Sequence, residues 1–268
     1  MALSLAKKVF RAALFNAGYR LIRADAQEVK YQQFDNLCQA YEQLMSESGH
    51  PIKPNATRPR LLAELIGTPP SEGYFIVDAL CKTDKIDGDV CEFGVAQGAT
   101  SALIANEILL SKKILHLFDS FQGLPTPTDK DALKDDIFCL GSMKAYTGQM
   151  SEPIDKVVHR LNDISFPRPR YVIHAGFIEG LLHADRNLPH KVSFAYVDLD
   201  LYAPIKLALE YLDGVIEQYG IIIVDDYDFF STGAKTAVDE FMSKNNPRYE
   251  VVIPTKKYGH FAVLERKH

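Results

Sequence analysis

From Asp89 onward the chain alternates short apolar runs rich in β-forming residues with longer runs of helical periodicity, and few folds accept that alternation. DVCEF (89–93), ILHLFD (114–119), RYVIHAG (170–176), VSFAYVD (192–198) and GIIIVDD (220–226) read as strands. Between them, ATSALIANEILL (99–110), SEPIDKVVHRL (151–161), PIKLALEYLDGVIEQ (204–218) and GAKTAVDEFMSK (233–244) read as helices. Strand–helix alternation implies parallel β–α units in a doubly wound α/β sheet. The nearly unbroken apolar character of the strands fits a sheet covered on both faces. YEVVIP (249–254) and HFAVLE (260–265), joined by the short turn TKKYG, predict an antiparallel hairpin at the C-terminus.

Upstream of Asp89 the pattern is helical. Residues 26–48, 61–67 and 71–82 read as helices, with HPIKPNATRPR (50–60) as a proline-containing linker. The expected organisation is a helical extension or cap over 1–85 and the α/β domain over 86–268. The opening MALSLAKKVFRAALFNAGYRLIRAD places Leu3, Ala6, Phe10, Leu14, Ala17 and Leu21 near helical spacing, with Lys7, Lys8, Arg11, Arg20 and Arg23 elsewhere around the helix. Arg11 breaks the apolar run that a secretory signal needs. Such a helix could dock on the body, on a second copy of the chain in a homo-oligomer, or peripherally on an anionic membrane. A transit peptide shares its basic, amphipathic character. No apolar run approaches the ~18 residues of a membrane span.

Composition removes other classes. A formal net charge of -5 argues against a general nucleic-acid binder. Cys38, Cys81, Cys91 and Cys139 form no CxxC pair, and no histidine stands at zinc-finger spacing. That predicts a reduced, cytoplasmic protein without a disulfide framework.

The chemistry gathers at strand ends, where an open α/β sheet binds its ligands. In the stretch E92-F-G94-V-A-Q-G98-A-T100, small residues between strand and helix let a ligand approach backbone N–H groups. Glu92 argues against a pyrophosphate and for a ligand carrying positive charge, such as an ammonium or a sulfonium. Asp119 ends the next strand, where an acid commonly accepts hydrogen bonds from ribose hydroxyls. Asp198 with Asp200, and Asp225 with Asp226, end two further strands. Clustered carboxylates repel unless a cation or shared proton offsets them, and oxygen-only ligands suit Mg²⁺. The alternatives are a satisfied turn glutamate, a capping aspartate and solvated loop charges. His116 reads as a core residue, and His174 as a candidate site lining.

Together GDVCEFGVAQGAT, LFDSFQGLP, AYVDLDLY and IIIVDDY followed by GAKTAVDEF resemble the macrocin O-methyltransferase family over residues 87–242. The resemblance implies a Rossmann-like class I methyltransferase sheet, S-adenosylmethionine (SAM) as methyl donor and Mg²⁺ as metal. Glu92, Gly94, Gly98 and Thr100 would line the methionine end of SAM, and Asp119, Ser120 and Phe121 its ribose and adenine end. Asp198, Asp225 and Asp226 match the family's metal-binding aspartates, and Asp200 its general base. Ala96 and Gln97 stand where the family carries an aromatic residue and an arginine. The opening AALFNAGYRLIR (12–23) resembles the start of methyltransferases from bacterial surface-polysaccharide gene clusters, which implies as acceptor a sugar hydroxyl of a bacterial glycan or glycolipid precursor. A macrolide or aminocoumarin sugar is the next reading, a catechol-like phenol the third. A non-catalytic nucleotide-sugar binding protein is the alternative from another class.

Overall fold

The computed structural model describes residues 55–184, 187–245, 247–256 and 258–267. The helix expected at 26–48 and the amphipathic opening lie outside these residues. Helices α1 (Arg58–Ala63) and α2 (Pro70–Lys82) precede β1 (Asp89–Phe93), α3 (Ala99–Glu107) and β2 (Leu115–Asp119). Then come α4 (Ile154–Asp163), β3 (Tyr171–Ala175), α5 (Ile178–Ala184), β4 (Val192–Val197), α6 (Tyr202–Val215) and β5 (Ile216–Val224). Helix α7 (Gly233–Asn245) and strands β6 (Tyr249–Val252) and β7 (Ala262–Arg266) close the chain.

The seven strands form one sheet in the order β3-β2-β1-β4-β5-β7-β6. Pairs among β1 to β5 are parallel, and β7 runs antiparallel to both β5 and β6. The expected doubly wound sheet and C-terminal antiparallel pair are both present. The hairpin's second strand is the one that slots against β5.

Period-two alternation sorts the side chains onto two cores. Cys91, Phe93, Ala195, Val197, Ile222 and Val224 face α6 and α7, meeting Ile205, Leu209, Leu212 and Val238. Val90, Phe194, Tyr196, Ile221 and Ile223 face the other way, onto α2, α3 and α4 through Ile76, Ile104, Val157 and Leu161. Helix α2 therefore shares a core with the sheet.

Several elements differ from expectation, among them α3, which ends at Glu107 rather than 110, and α4, which starts at Ile154 rather than 151. Helix α1 starts at Arg58, inside the expected linker, because Pro59 suits a first helical turn, where its missing N–H is no loss. Arg58 is 2% exposed and forks onto Glu107 of α3, Nε to Oε1 at 2.8 Å and Nη2 to Oε2 at 2.6 Å. Helix α6 ends at Val215 rather than 218, since Ile216 is buried as the first residue of β5. Helix α5 was not expected. Gly180 hides its pattern, although Ile178, Leu181 and Leu182 pack into the first core.

Candidate active site

A cleft of about 1130 Å³ opens along the carboxyl ends of the parallel strands. Sheet register brings its acidic residues abreast. Phe93 pairs with Phe118 on one side and Val197 on the other, and Val197 pairs with Val224. The ladder runs one step further: Gly94 N–H donates to Phe118 O at 2.8 Å, Asp198 N–H to Phe93 O at 2.7 Å, and Asp225 N–H to Val197 O at 2.9 Å. Gly94 has φ 84°, and a Cβ there would meet Asp198 O at 1.7 Å. Only glycine lets β1 and β4 end side by side.

Ligand oxygens of Asp198, Asp200 and Asp226 all lie within 4.8 Å of one another. Asp200 and Asp226 adopt left-handed backbone, φ 61° and 57°, a conformation that aspartate tolerates better than most side chains. Both turns aim their carboxyls into the cleft. Asp225 also lines the cleft but stands outside this trio. Strand alternation puts it on the Tyr196 face, where Oδ2 accepts the Tyr196 hydroxyl at 2.6 Å and Oδ1 accepts Asp226 N–H at 2.7 Å. The expected metal set included Asp225; the carboxylate gathered in its stead is Asp200.

Burial raises the pKa of every acid in this group; repulsion from neighbouring carboxylates adds to it at Asp198, Asp226 and Asp200, whereas hydrogen bonds, from the Tyr196 hydroxyl first, oppose it at Asp225. Asp198 and Asp226 lie well above the usual carboxylate range, Asp225 is also raised, and Asp200 reaches about 6. Behind Asp225, Glu72 of α2 is fully buried and raised by burial and then by Asp225. Its Oε1 accepts the Tyr196 hydroxyl at 3.2 Å. This Glu72–Tyr196–Asp225 network was missed in the sequence. Its one signal was a tyrosine in an otherwise apolar strand, two residues before Asp198.

Glu92 ends fully buried, and neither carboxylate oxygen has a hydrogen-bond partner. Burial lifts its pKa to about 8, with Ser101 partly opposing and Asp119 adding to the shift. An orphaned carboxyl lining a cleft fits a cationic ligand. Asp119 organises the glycine loop: Oδ2 accepts Val95 N–H at 2.7 Å and Ala96 N–H at 2.9 Å, and Oδ1 accepts Phe121 N–H at 2.6 Å. A carboxylate offers about four acceptor positions, so one is left for a ligand. Ser120 lines the cleft and closes its own turn, donating to Gly123 O at 2.9 Å. Thr100 also lines the cleft, its hydroxyl 3.2 Å from that of Thr68. Gly98 and Phe121 are not among the residues that line the cleft. A Cβ on Gly98 would meet Val157 Cα at 3.0 Å, and Phe121 packs on the second core. His174 is buried, 3.0 Å from His116 and stacked on Phe118, away from the acids.

The long segment between β2 and α4 forms a wall of the cleft. Asp131 Oδ1 accepts Tyr202 N–H at 2.7 Å, capping α6 from a distance. Leu133 bridges Ser231, and Lys134 pairs with Asp228. Leu124, Met143 and Tyr146 pack with Leu201 and Phe230 in a small core of their own.

A seven-stranded sheet of this order, with an acidic cleft at its parallel strand ends, has the architecture of a class I methyltransferase. The profile of the macrocin O-methyltransferase (TylF) family matches residues 21–255, and the chain belongs to that family. Among solved structures it resembles the O-methyltransferase NovP, at 19% identity over 75% of this chain and 81% of that one, with a TM-score of 0.61. CalS11, a calicheamicin methyltransferase, aligns over 91% of this chain and 94% of its own at 18% identity and a TM-score of 0.54. An O-methyltransferase from Bacillus cereus in complex with SAH aligns over 85% of this chain and 97% of its own, at 15% identity and a TM-score of 0.51. No curated protein matches the chain.

Proposed function

We propose that this enzyme transfers the methyl group of SAM to a sugar hydroxyl, on a bacterial glycan or glycolipid precursor, with Mg²⁺ as the metal. The observation that carries the reading is the convergence of Asp198, Asp200 and Asp226 in one cleft with the orphaned Glu92. An all-carboxylate donor set suits a hard divalent cation. Asp198 and Asp226 would hold it, with Asp225 braced behind them by Tyr196. When bound, Mg²⁺ lowers the pKa of an acceptor hydroxyl.

The chain's residues supply the rest. Glu92 offers its carboxylate to the positive methionine end of SAM. Asp119 fixes the glycine loop and spends its remaining acceptor position on a ribose hydroxyl. Asp200, next to Asp226, takes the proton from the acceptor oxygen. That oxygen then attacks the sulfonium methyl in line, and the C–S bond breaks to leave S-adenosylhomocysteine (SAH). Holding both substrates in the cleft supplies much of the rate.

Calorimetry with SAM tests the donor half. Wild-type protein should bind SAM, and Glu92→Gln should bind it at least ~10-fold more weakly. Absence of SAM binding by the wild type would refute the reading.

A further inference from the structure

We propose that Thr68 and Tyr196 are positioning residues that tie the methyl-donor end of the cleft to its metal end through a chain of buried hydroxyls, so that SAM and Mg²⁺ each tighten the binding of the other. The inference rests on the methyl-transfer reading above and adds a coupling between its two ligands.

The chain of contacts is continuous. Thr100, in the first turn of α3, lines the cleft, and its hydroxyl lies 3.2 Å from that of Thr68. Thr68, in the turn between α1 and α2, lies 3.3 Å from the Tyr196 hydroxyl. Tyr196 donates to Asp225 Oδ2 at 2.6 Å, and Asp225 Oδ1 accepts Asp226 N–H at 2.7 Å. That last bond closes on the left-handed residue whose carboxyl joins Asp198 and Asp200. Thr68, Glu72 and Tyr196 are buried, and none of them lines the cleft. Thr68 and Tyr196 therefore act through Thr100 at one end and Asp225 at the other.

Proton counting gives these hydroxyls two arrangements. A hydroxyl has one proton to donate and lone pairs to accept with. Tyr196 gives its proton to Asp225, the nearer of its two carboxyl partners, since Glu72 Oε1 stands at 3.2 Å. Thr68 then points its own proton to Thr100 or to Tyr196, and the choice is set at Thr100. The ammonium of the methionine end, donating from the cleft side, makes Thr100 its acceptor and turns the Thr100 proton toward Thr68. Thr68 then donates to Tyr196, and every bond from the ligand to Asp225 runs the same way. Aligned hydrogen bonds strengthen one another, so Asp225 is fixed more firmly beside Asp226. A cation at the aspartate trio favours the same arrangement, because the turn that aims Asp226 rests on Asp225. By linkage, whatever SAM does for the metal the metal does for SAM.

The test is calorimetry on the full-length protein, each ligand titrated with and without the other, with EDTA for the metal-free arm. Mg²⁺ should bind the wild type at least ~3-fold more tightly when SAM is present, and SAM should gain the same factor from Mg²⁺. SAH, which keeps the ammonium without the sulfonium charge, should show at least that factor. 5′-Methylthioadenosine, which lacks the amino-acid end, should show none. Thr68→Val keeps the shape and removes the hydroxyl. It should bind each ligand alone about as the wild type does and lose the coupling, and Thr68→Ser should retain it. Tyr196→Phe should lose it as well. Leu161→Ala, a core truncation in α4, should lower urea-unfolding stability and keep the coupling, which a merely structural role of the hydroxyls would not allow. A wild-type factor of one or less overturns the proposal while the methyl-transfer reading stands. So does the full factor in Thr68→Val, in Tyr196→Phe or with 5′-methylthioadenosine, or its loss in Thr68→Ser or Leu161→Ala. Absence of SAM binding by the wild type would overturn the underlying reading, and the proposal with it.

Discussion

Asp225 and Asp226 are neighbours with different work, and the reason is strand alternation. Asp225 keeps the register of β5 and points to Tyr196, whereas Asp226 enters left-handed backbone and turns into the cleft with Asp198 and Asp200. Asparagine variants separate the roles. Asp198→Asn and Asp226→Asn should weaken Mg²⁺ binding at least ~10-fold in calorimetry. Asp200→Asn should keep the metal and lose turnover by about 10²–10⁴-fold, as for a missing general base. If Asp200→Asn loses Mg²⁺ affinity in step with Asp198→Asn, Asp200 is a ligand and not the base. Asp119→Ala should cost more SAM affinity than one ribose contact, because it also frees Val95 and Ala96. Charge-assisted hydrogen bonds contribute about 1.5–3 kcal/mol each, so a calorimetric loss below ~1 kcal/mol would remove Asp119 from the donor site.

At the scale of elements, the sheet was legible because hydrophobic runs and acidic ends announce strands. VSFAYVD and GIIIVDD ended where β4 and β5 end their ladders, and the glycine between β1 and α3 proved a close approach to Asp198. Less legible were parts whose order comes from distant partners. The segment after β2 carries no strand or helix pattern of its own, since its anchors, Asp131 on Tyr202 and Leu133 on Ser231, lie far apart in sequence. Helix α1 was half hidden because Arg58 gains meaning only from Glu107. This contact can be tested alone. Removing one partner of a buried ion pair costs about 3–5 kcal/mol, mostly from the stranded charge. Arg58→Ala should therefore lower urea-unfolding stability by about that much, and Arg58→Ala with Glu107→Ala should recover part of it. A loss below ~1 kcal/mol would mean that the pair does not fasten α1.

For the molecule as a whole, the acidic cleft sets a pH dependence of stability. Glu92 has a folded pKa of about 8 against an ordinary 4.5. Between these values the folded protein holds a proton that the unfolded chain has released. The unfolded state binds fewer protons, so stability falls as pH rises from ~4.5 to ~8 and levels off above. Glu92 alone contributes a fall on the order of 5 kcal/mol, and the raised aspartates act in the same direction. Urea unfolding in EDTA should show the decline, and Glu92→Gln should flatten much of it. A wild-type protein equally stable at pH 5 and pH 8 would contradict a buried, orphaned Glu92.

The central claim is that the aspartates at the ends of β4 and β5 hold a divalent cation for methyl transfer. Methyl transfer measured across a Mg²⁺ titration, starting from protein stripped with EDTA, tests it most directly. The account predicts no turnover in EDTA, saturable recovery with Mg²⁺, and a recovery midpoint shifted to higher Mg²⁺ in Asp198→Asn. Full methyl transfer in EDTA would contradict it.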